Sequence, residues 1–212
     1  KGTPLWQDTL HGDPPKGPQA MIDAANDRLA ELLQENHAAL LDAAELGAAL
    51  TGSYLRICWD ATVADGPFLV PMAPDQAIPT FRYGRLTSVV FWQELPKLDQ
   101  DPSSWFLLEE HRPGVIEYAL YCSGRDAQNI GTRVPLTEHP ATAGLAATVN
   151  AESVVETGTD LLTAVYLPNV KPNRAHRKDP VIGNLGRSDL DGCIDLMDDL
   201  DETYTSWMRD IR

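Results

Sequence analysis

The sequence predicts an α+β fold: a long N-terminal helix, a mainly antiparallel sheet and a C-terminal amphipathic helix. Three observations carry that prediction. Apolar residues recur at helical spacing between Met21 and Leu50. The middle of the chain is a succession of short alternating runs, separated by turns bearing Pro and Gly. After Ser188, apolar residues step by three and four along one face, opposite a row of acids.

Taken in order, the opening KGTPLWQDTLHGDPPKG is rich in Pro and Gly and reads as extended or loop-like. Pro18 suits the first turn of a helix. Ile22, Ala25, Leu29, Leu32, Leu33, Leu40, Leu41 and Ala44 then mark one helical face in a background of Ala, Leu, Glu and Gln, all good helix formers. The stretch would span about 45 Å at 1.5 Å per residue. A break is admissible at Asn36–His37, and Gly52 suits a stop.

SYLRICW (Ser53–Trp59) alternates, with Tyr54, Arg56 and Cys58 on one side and Leu55, Ile57 and Trp59 on the other. In FLVPMAPDQAIPTF, Pro71, Pro74 and Pro79 restrict strands to short or edge positions. Leu86–Leu95, Ser104–Cys122 and Leu161–Asn169 read as further strands, with Arg112–Gly114 supplying a turn inside the second run. Close connections of this kind favour antiparallel pairing. Residues 125–150 read as irregular.

At the C-terminal end, Ser188 reads as an N-cap with Asp191 at capping-box spacing, and Asp189 and Asp191 suit the positive end of the helix dipole. Leu190, Cys193, Ile194, Met197, Leu200, Tyr204, Trp207, Met208 and Ile211 predict one buried face. Asp195, Asp198, Asp199 and Glu202 lie on the other, which reads as solvated. The expected division is a domain over residues 1–187 and the start of a helix over 188–212. The first residue is Lys1 and the last, Arg212, falls inside a helical pattern with no glycine stop, so the chain is expected to be an internal piece of a longer protein.

Bulk composition sets limits. A chain of 212 residues suits one large domain, or one domain with a protruding element, and 43% hydrophobic residues suffice for a core. A net charge of -14 opposes general adhesion to nucleic acid, though not the passage of duplex DNA that is not gripped. Cys58, Cys122 and Cys193 are odd in number and far apart, so neither a disulfide framework nor a zinc site is expected, and a reducing compartment fits. No apolar run approaches the roughly 18 residues of a membrane span, and the opening residues do not read as a signal peptide.

Motifs for catalysis are sparse. SDLDGCIDLMDDLDE invites comparison with a calcium loop, but Gly192 stands at the wrong offset and the segment continues as a helix. An enzyme reading would be a metal-dependent hydrolase or nuclease using this Asp-rich helix; against it, His11, His37, His111, His139 and His176 show no ligand spacing. Neither a G-x-S-x-G elbow nor a phosphate loop is present, and GNLGRSD lacks the strand–helix context of a dinucleotide fingerprint. No catalytic residue, cofactor or metal is therefore expected. Trp6, Trp59, Trp92, Trp105 and Trp207 do not interleave with Lys and Arg, and read as core or subunit contacts rather than a base-stacking platform.

One segment opposes the acidic average. Lys171, Arg174, Arg177 and Lys178 fall within eight residues, immediately before the most acidic stretch. Three readings apply: a solvated loop, a phosphate contact on passing DNA, or a contact to the acidic patch of an identical neighbour, which suits head-to-tail rings.

YLPNVKPNR, LGRSDLDG and MDDLDETYTSWMRDIR, in that order, resemble the portal proteins of tailed bacteriophages, especially those of actinobacterial hosts. GSYLRICWD and PDQAIPTFRYGRLTSVVFW resemble the strand region of the same family, and EHPATAGL is a weaker match, so the similarity runs from about Gly52 onward. No single motif is diagnostic; the ordered series carries the resemblance. The resemblance implies a non-catalytic subunit of a ring, usually of twelve, at one vertex of a virion capsid. Double-stranded DNA passes through its tunnel without sequence-specific binding. A terminase docks there during packaging in the host cytoplasm, and head-completion proteins dock afterwards. Within that plan the chain corresponds to a wing-like α+β domain ending on a helix that heads toward the stem. Gly186, Arg187, Ser188 and Asp189 are then expected to form a helix-entry hinge, and Pro168, Asn169, Pro172 and Asn173 to fix the preceding loop. Lys171, Arg174, Arg177 and Lys178 are expected to meet a neighbouring subunit. A third possibility is a virion adaptor that binds protein only and forms no ring.

Overall fold

A computed structural model describes residues 19–60, 63–64, 66–98, 101–124 and 129–211. The loop expected over the first 17 residues, Pro18, Trp6 and His11 lie outside them. The described chain is α+β with antiparallel sheets and a C-terminal helix.

The long N-terminal helix is not observed. Two helices replace it, α1 (Gln19–Glu35) and α2 (His37–Ala49). The break falls at Asn36, which is 7% exposed. Its Nδ2 donates to the Leu32 carbonyl at 2.7 Å, and its Oδ1 accepts from the Leu69 N–H at 2.7 Å. An asparagine side chain that competes for backbone groups interrupts a helix, and this one ties the interruption to the second strand.

Three strands form the small sheet: β1 (Gly52–Cys58), β2 (Phe68–Met72) and, from near the other end of the chain, β9 (Ala164–Pro168), with β1 central. The large sheet runs β3 (Ala77–Arg82), β4 (Arg85–Leu95), β5 (Ser104–Arg112), β6 (Val115–Ser123) and β7 (Thr132–Val134). A further strand, β8 (Val154–Glu156), also pairs with β6. All pairs are antiparallel. Tyr83 and Gly84, both at positive φ (51° and 75°), make the two-residue turn between β3 and β4, a conformation whose twist matches its flanking strands. Gly114, at φ 85° after Pro113, turns β5 into β6. The region expected to be irregular, 125–150, contains β7 and a short helix, α3 (Pro140–Ala146). Runs of three and seven residues are too brief to show a period.

The layers follow from alternation. Leu55 of β1 points outward beneath Ala43 and Gly47 of α2, all buried. Tyr54, Met72, Ala164 and Tyr166 point inward and pack on Ala77, Val89 and Phe91 of the large sheet. Tyr54 meets Phe91 edge-on at 5.7 Å and Tyr166 at 4.6 Å between ring centres. The other end of the same large-sheet face is closed by the α3 segment, with Leu136 packed on Leu95, Trp105 and Leu120. His139 holds this segment in place. Its Nδ1 accepts from Ala141 N at the start of α3, and its Nε2 donates to the Pro96 carbonyl at 3.0 Å.

Phe91 is 1% exposed where the two sheets meet. Phe91→Ala is expected to lower unfolding stability by about 3–5 kcal/mol, measured by urea titration. A loss below about 1 kcal/mol would show that the sheets do not depend on each other through this ring.

Candidate functional site

Of the residues singled out between Pro168 and Asp189, Asn169, Asn173, Gly186, Arg187, Ser188 and Asp189 converge on one junction, which lies at the C-terminal end of α2. Helices leave their last carbonyls unpaired. Here the distant segment supplies the donors. Ser188 Oγ donates to the carbonyls of Ala49 (2.7 Å) and Ala48 (3.3 Å), and Asp189 N donates to Ala48 (2.9 Å). Asn169 Nδ2 bridges the Arg187 carbonyl and Asp189 Oδ1, both at 2.9 Å, while Asn169 N donates to the Thr51 carbonyl. Tyr166, at the end of β9, donates its hydroxyl to Thr51 O at 2.8 Å and accepts from Gly186 N at 3.0 Å. Asn173, 4% exposed, reaches the carbonyls of Ile182 and Gly186. Gly186 is buried, and a Cβ there would stand 2.3 Å from Thr51 O and 2.7 Å from Asn169 N. Pro168 and Pro172 are exposed at the margin of this knot.

Two expectations about the last helix are corrected. It does not begin at Ser188. Residues 189–193 form turns, and the helix, α4, spans Ile194–Asp210 with no side-chain cap at Cys193. The Ser188 hydroxyl is taken by α2 and by the N–H of Leu190, and Asp191 pairs with Arg187 Nη1 at 3.3 Å instead of closing a capping box. Nor is the apolar stripe buried. Every residue of α4 is exposed, with Leu200 at 66%, Tyr204 at 57% and Trp207 at 59%. A stripe shows which face wants cover, not whether the same chain supplies it.

The basic residues stand on the exposed loop between the knot and the short turn at Ile182–Asn184. Arg174, Arg177 and Lys178 line a shallow open concavity with His176 and Asp179. Asp179 accepts from the N–H groups of Ile182 and Val181 at 2.7 and 2.8 Å, and these two bonds hold its carboxyl below the usual range. Lys171 lies 6.0 Å above the Tyr166 ring. Among the described residues, none of the four cations is ion-paired.

A second constellation lies between the sheets and was not anticipated. Arg56 of β1 pairs with Glu109 of β5 and stacks 5.6 Å from the Phe91 ring centre. Glu109 also accepts from His111 Nε2 at 2.8 Å and from Tyr118 Oη at 3.3 Å. The other His111 nitrogen meets Thr163 Oγ1 at 2.7 Å. Thr163 in turn accepts the N–H of Ile57 on its backbone carbonyl, so the chain of bonds joins β1, β5, β6 and the approach to β9. Burial opposes the Glu109 charge, but the His111 bond and the Arg56 guanidinium outweigh it and hold the carboxyl below the usual range. Thr163, His111 and Glu109 have the spacing of nucleophile, base and orienting acid. The spacing serves a different end here: His111 is 0% and Thr163 8% exposed, and Glu109 is already committed to Arg56. The network locks one sheet on the other. Its signature in the sequence is charge at inward alternate positions, Arg56 between Tyr54 and Cys58 and Glu109 two before His111.

Among the described residues, no three His, Cys, Asp or Glu side chains stand together as a metal site. No described helix is long and apolar enough to cross a membrane. No known protein family matches the chain, and no curated protein does.

Gly186→Ala is expected to destabilise the protein by about 1–3 kcal/mol through collision with the Thr51 carbonyl, read as a lowered urea midpoint. An unchanged midpoint would mean that the knot yields freely. Glu109→Gln leaves Arg56 buried without its counter-charge and is expected to cost about 3–5 kcal/mol at pH 7. Because the folded carboxyl titrates below its unfolded value near 4.3, its stabilisation is complete above that value and is lost as pH falls through the folded one. The gap between wild type and Glu109→Gln should therefore narrow on acidification below about pH 4. A gap constant from pH 7 to 3 would remove the ion pair as its cause.

Proposed function

We propose that this chain is the wing part of a portal subunit: a structural component of a ring at one capsid vertex through which double-stranded DNA is packaged and ejected, and on which terminase docks. The ordered resemblance from Gly52 to the last helix suggests the family. The observation that carries the reading is how its motif residues are used. Gly186, Ser188, Asp189, Asn169 and Asn173 build a rigid knot on the end of α2, and beyond it α4 projects with its apolar face uncovered. A subunit that completes its packing only beside its neighbours has this form, because each copy leaves a face for the next. The charge agrees. A net -14 gives a body that repels phosphate, and a conduit that held DNA tightly along its length would stall it. In this reading the site residues set the angle at which α4 leaves the wing, and the partners are identical subunits, terminase, and capsid and head-completion proteins. Its place is the virion, reached by assembly in the host cytoplasm.

Negative-stain microscopy of the protein at its natural length tests this. Rings with a central hole are expected. Single compact particles at all concentrations would overturn it.

A further inference from the structure

The geometry points to α4 as a strap that closes on its own chain: in the lone chain its apolar stripe seats on the bare half of the small sheet's outer face, beside α2. Closure takes place within one chain, so it does not depend on the ring reading. Three observations carry it.

First, half of that sheet face is bare. α2 lies over β1 and β2. Val165 of β9 stands opposite Leu55, and Leu167 opposite Ser53, so both share the outer face that α2 covers in part. They are 49% and 42% exposed, and Ile57 of β1, on the same face, is 44% exposed. Just beyond β1, Trp59 is 75% exposed. Apolar surface thus continues outward from a helix–sheet contact that already exists, with no charged residue among its members. Contiguous surface of this kind marks an interaction site.

Second, α4 fits that surface. Met197, Leu200, Tyr204 and Trp207 share one side of the helix and are 51–66% exposed. Asp195, Asp198, Asp199 and Glu202 lie on the opposite side, so they face water when the stripe is seated. The 17 residues of α4 span about 25 Å, and the seven residues of β1 span about 23 Å. A helix of this length owes most of its stability to packing of its apolar face, and Asp and Thr add little of their own.

Third, the tether is in place. Asp189 N donates to the Ala48 carbonyl at the end of α2, and its carboxylate accepts from Asn169, the first residue after β9. The segment leading to α4 is therefore held at the seam between α2 and β9, where the bare half begins. Residues 190–193 are in turns, and no atom lies within 4 Å of where a Cβ on Gly192 would stand. From Ile194 onward, among the described residues, no hydrogen bond or ion pair reaches back past Cys193. A reversal over these four residues lays α4 back along β9, antiparallel to it and to α2.

The test is hydrogen exchange, read by mass spectrometry, on the 212-residue chain diluted until sedimentation velocity shows a monomer. Amides of α4 are expected to exchange at least about tenfold more slowly in the wild type than in Val165→Glu, Ile57→Glu or Leu200→Glu. All three positions are exposed with α4 open, so the rest of the fold should tolerate the change; unaltered exchange in β5 and β6 checks this. Asp198→Lys with Asp199→Lys, on the far side of the helix, should leave the protection in place.

Three results would overturn the inference: α4 amides that exchange in the wild-type monomer as fast as in an unfolded peptide, protection that survives both Val165→Glu and Ile57→Glu, or protection that appears only at concentrations where copies associate. Any of these with rings still visible in micrographs would sink the strap alone. A closed strap in a protein that forms no rings would sink the portal reading alone.

Discussion

The Tyr166 side chain belongs to two parts of the molecule at once. Its ring is stacked in the inter-sheet core against Tyr54 and near Phe81. Its hydroxyl, at the edge of that core, accepts from Gly186 and donates to Thr51. A buried phenol needs a partner for its O–H, and the partner chosen here is the backbone that links α2 to β1. The consequence is geometric. The position of the C-terminal segment is tied to the packing of the sheets through Tyr166, as well as to α2 and to Asn169 and Asn173 of the loop. Gly186 can accept this only because it has no side chain, since the Thr51 carbonyl occupies the space of a Cβ. The segment that leads into α4 is thereby anchored to the middle of the fold.

The second constraint is the Arg56–Glu109–His111 network. Charge between two sheets is costly unless every group is satisfied, so its presence restricts the registers the strands can adopt. Slipping β5 by one residue against β4 and β6 would turn Glu109 and His111 outward and bring Leu108 and Glu110 in. Apolar contacts alone would tolerate several such arrangements, whereas a carboxylate that needs a guanidinium, an imidazole and a phenol tolerates few. The inter-sheet interface thus combines two means: hydrophobic area for cohesion and a polar cluster for alignment.

These differences explain what was legible from the residues alone. Strands β1, β4, β5 and β6 were visible within a residue or two, because each has at least seven residues, rich in apolar and aromatic side chains and bounded by turns. The amphipathic C-terminal helix was visible for the same reason. Ser188 misled because capping depends on which N–H groups are free, and its hydroxyl was claimed by carbonyls 139 and 140 residues away. The joining of Asn169 to Asp189 and of Thr163 to His111 is likewise long-range, and pattern has no access to such pairs. The residues named between Pro168 and Asp189 were expected from the resemblance, not from any pattern.

One edge of the large sheet has a consequence for life at high local concentration. Strands β7 and β8, three residues each, occupy the same side of β6 at its two ends, pairing with 120–122 and 115–117. A single strand of nine residues there would present an unbroken ladder of free amides and carbonyls to any similar chain. Two short pieces from different parts of the sequence do not, because neither is long enough to template a new strand. At this edge of the large sheet, contact between copies is left to side chains rather than to backbone pairing.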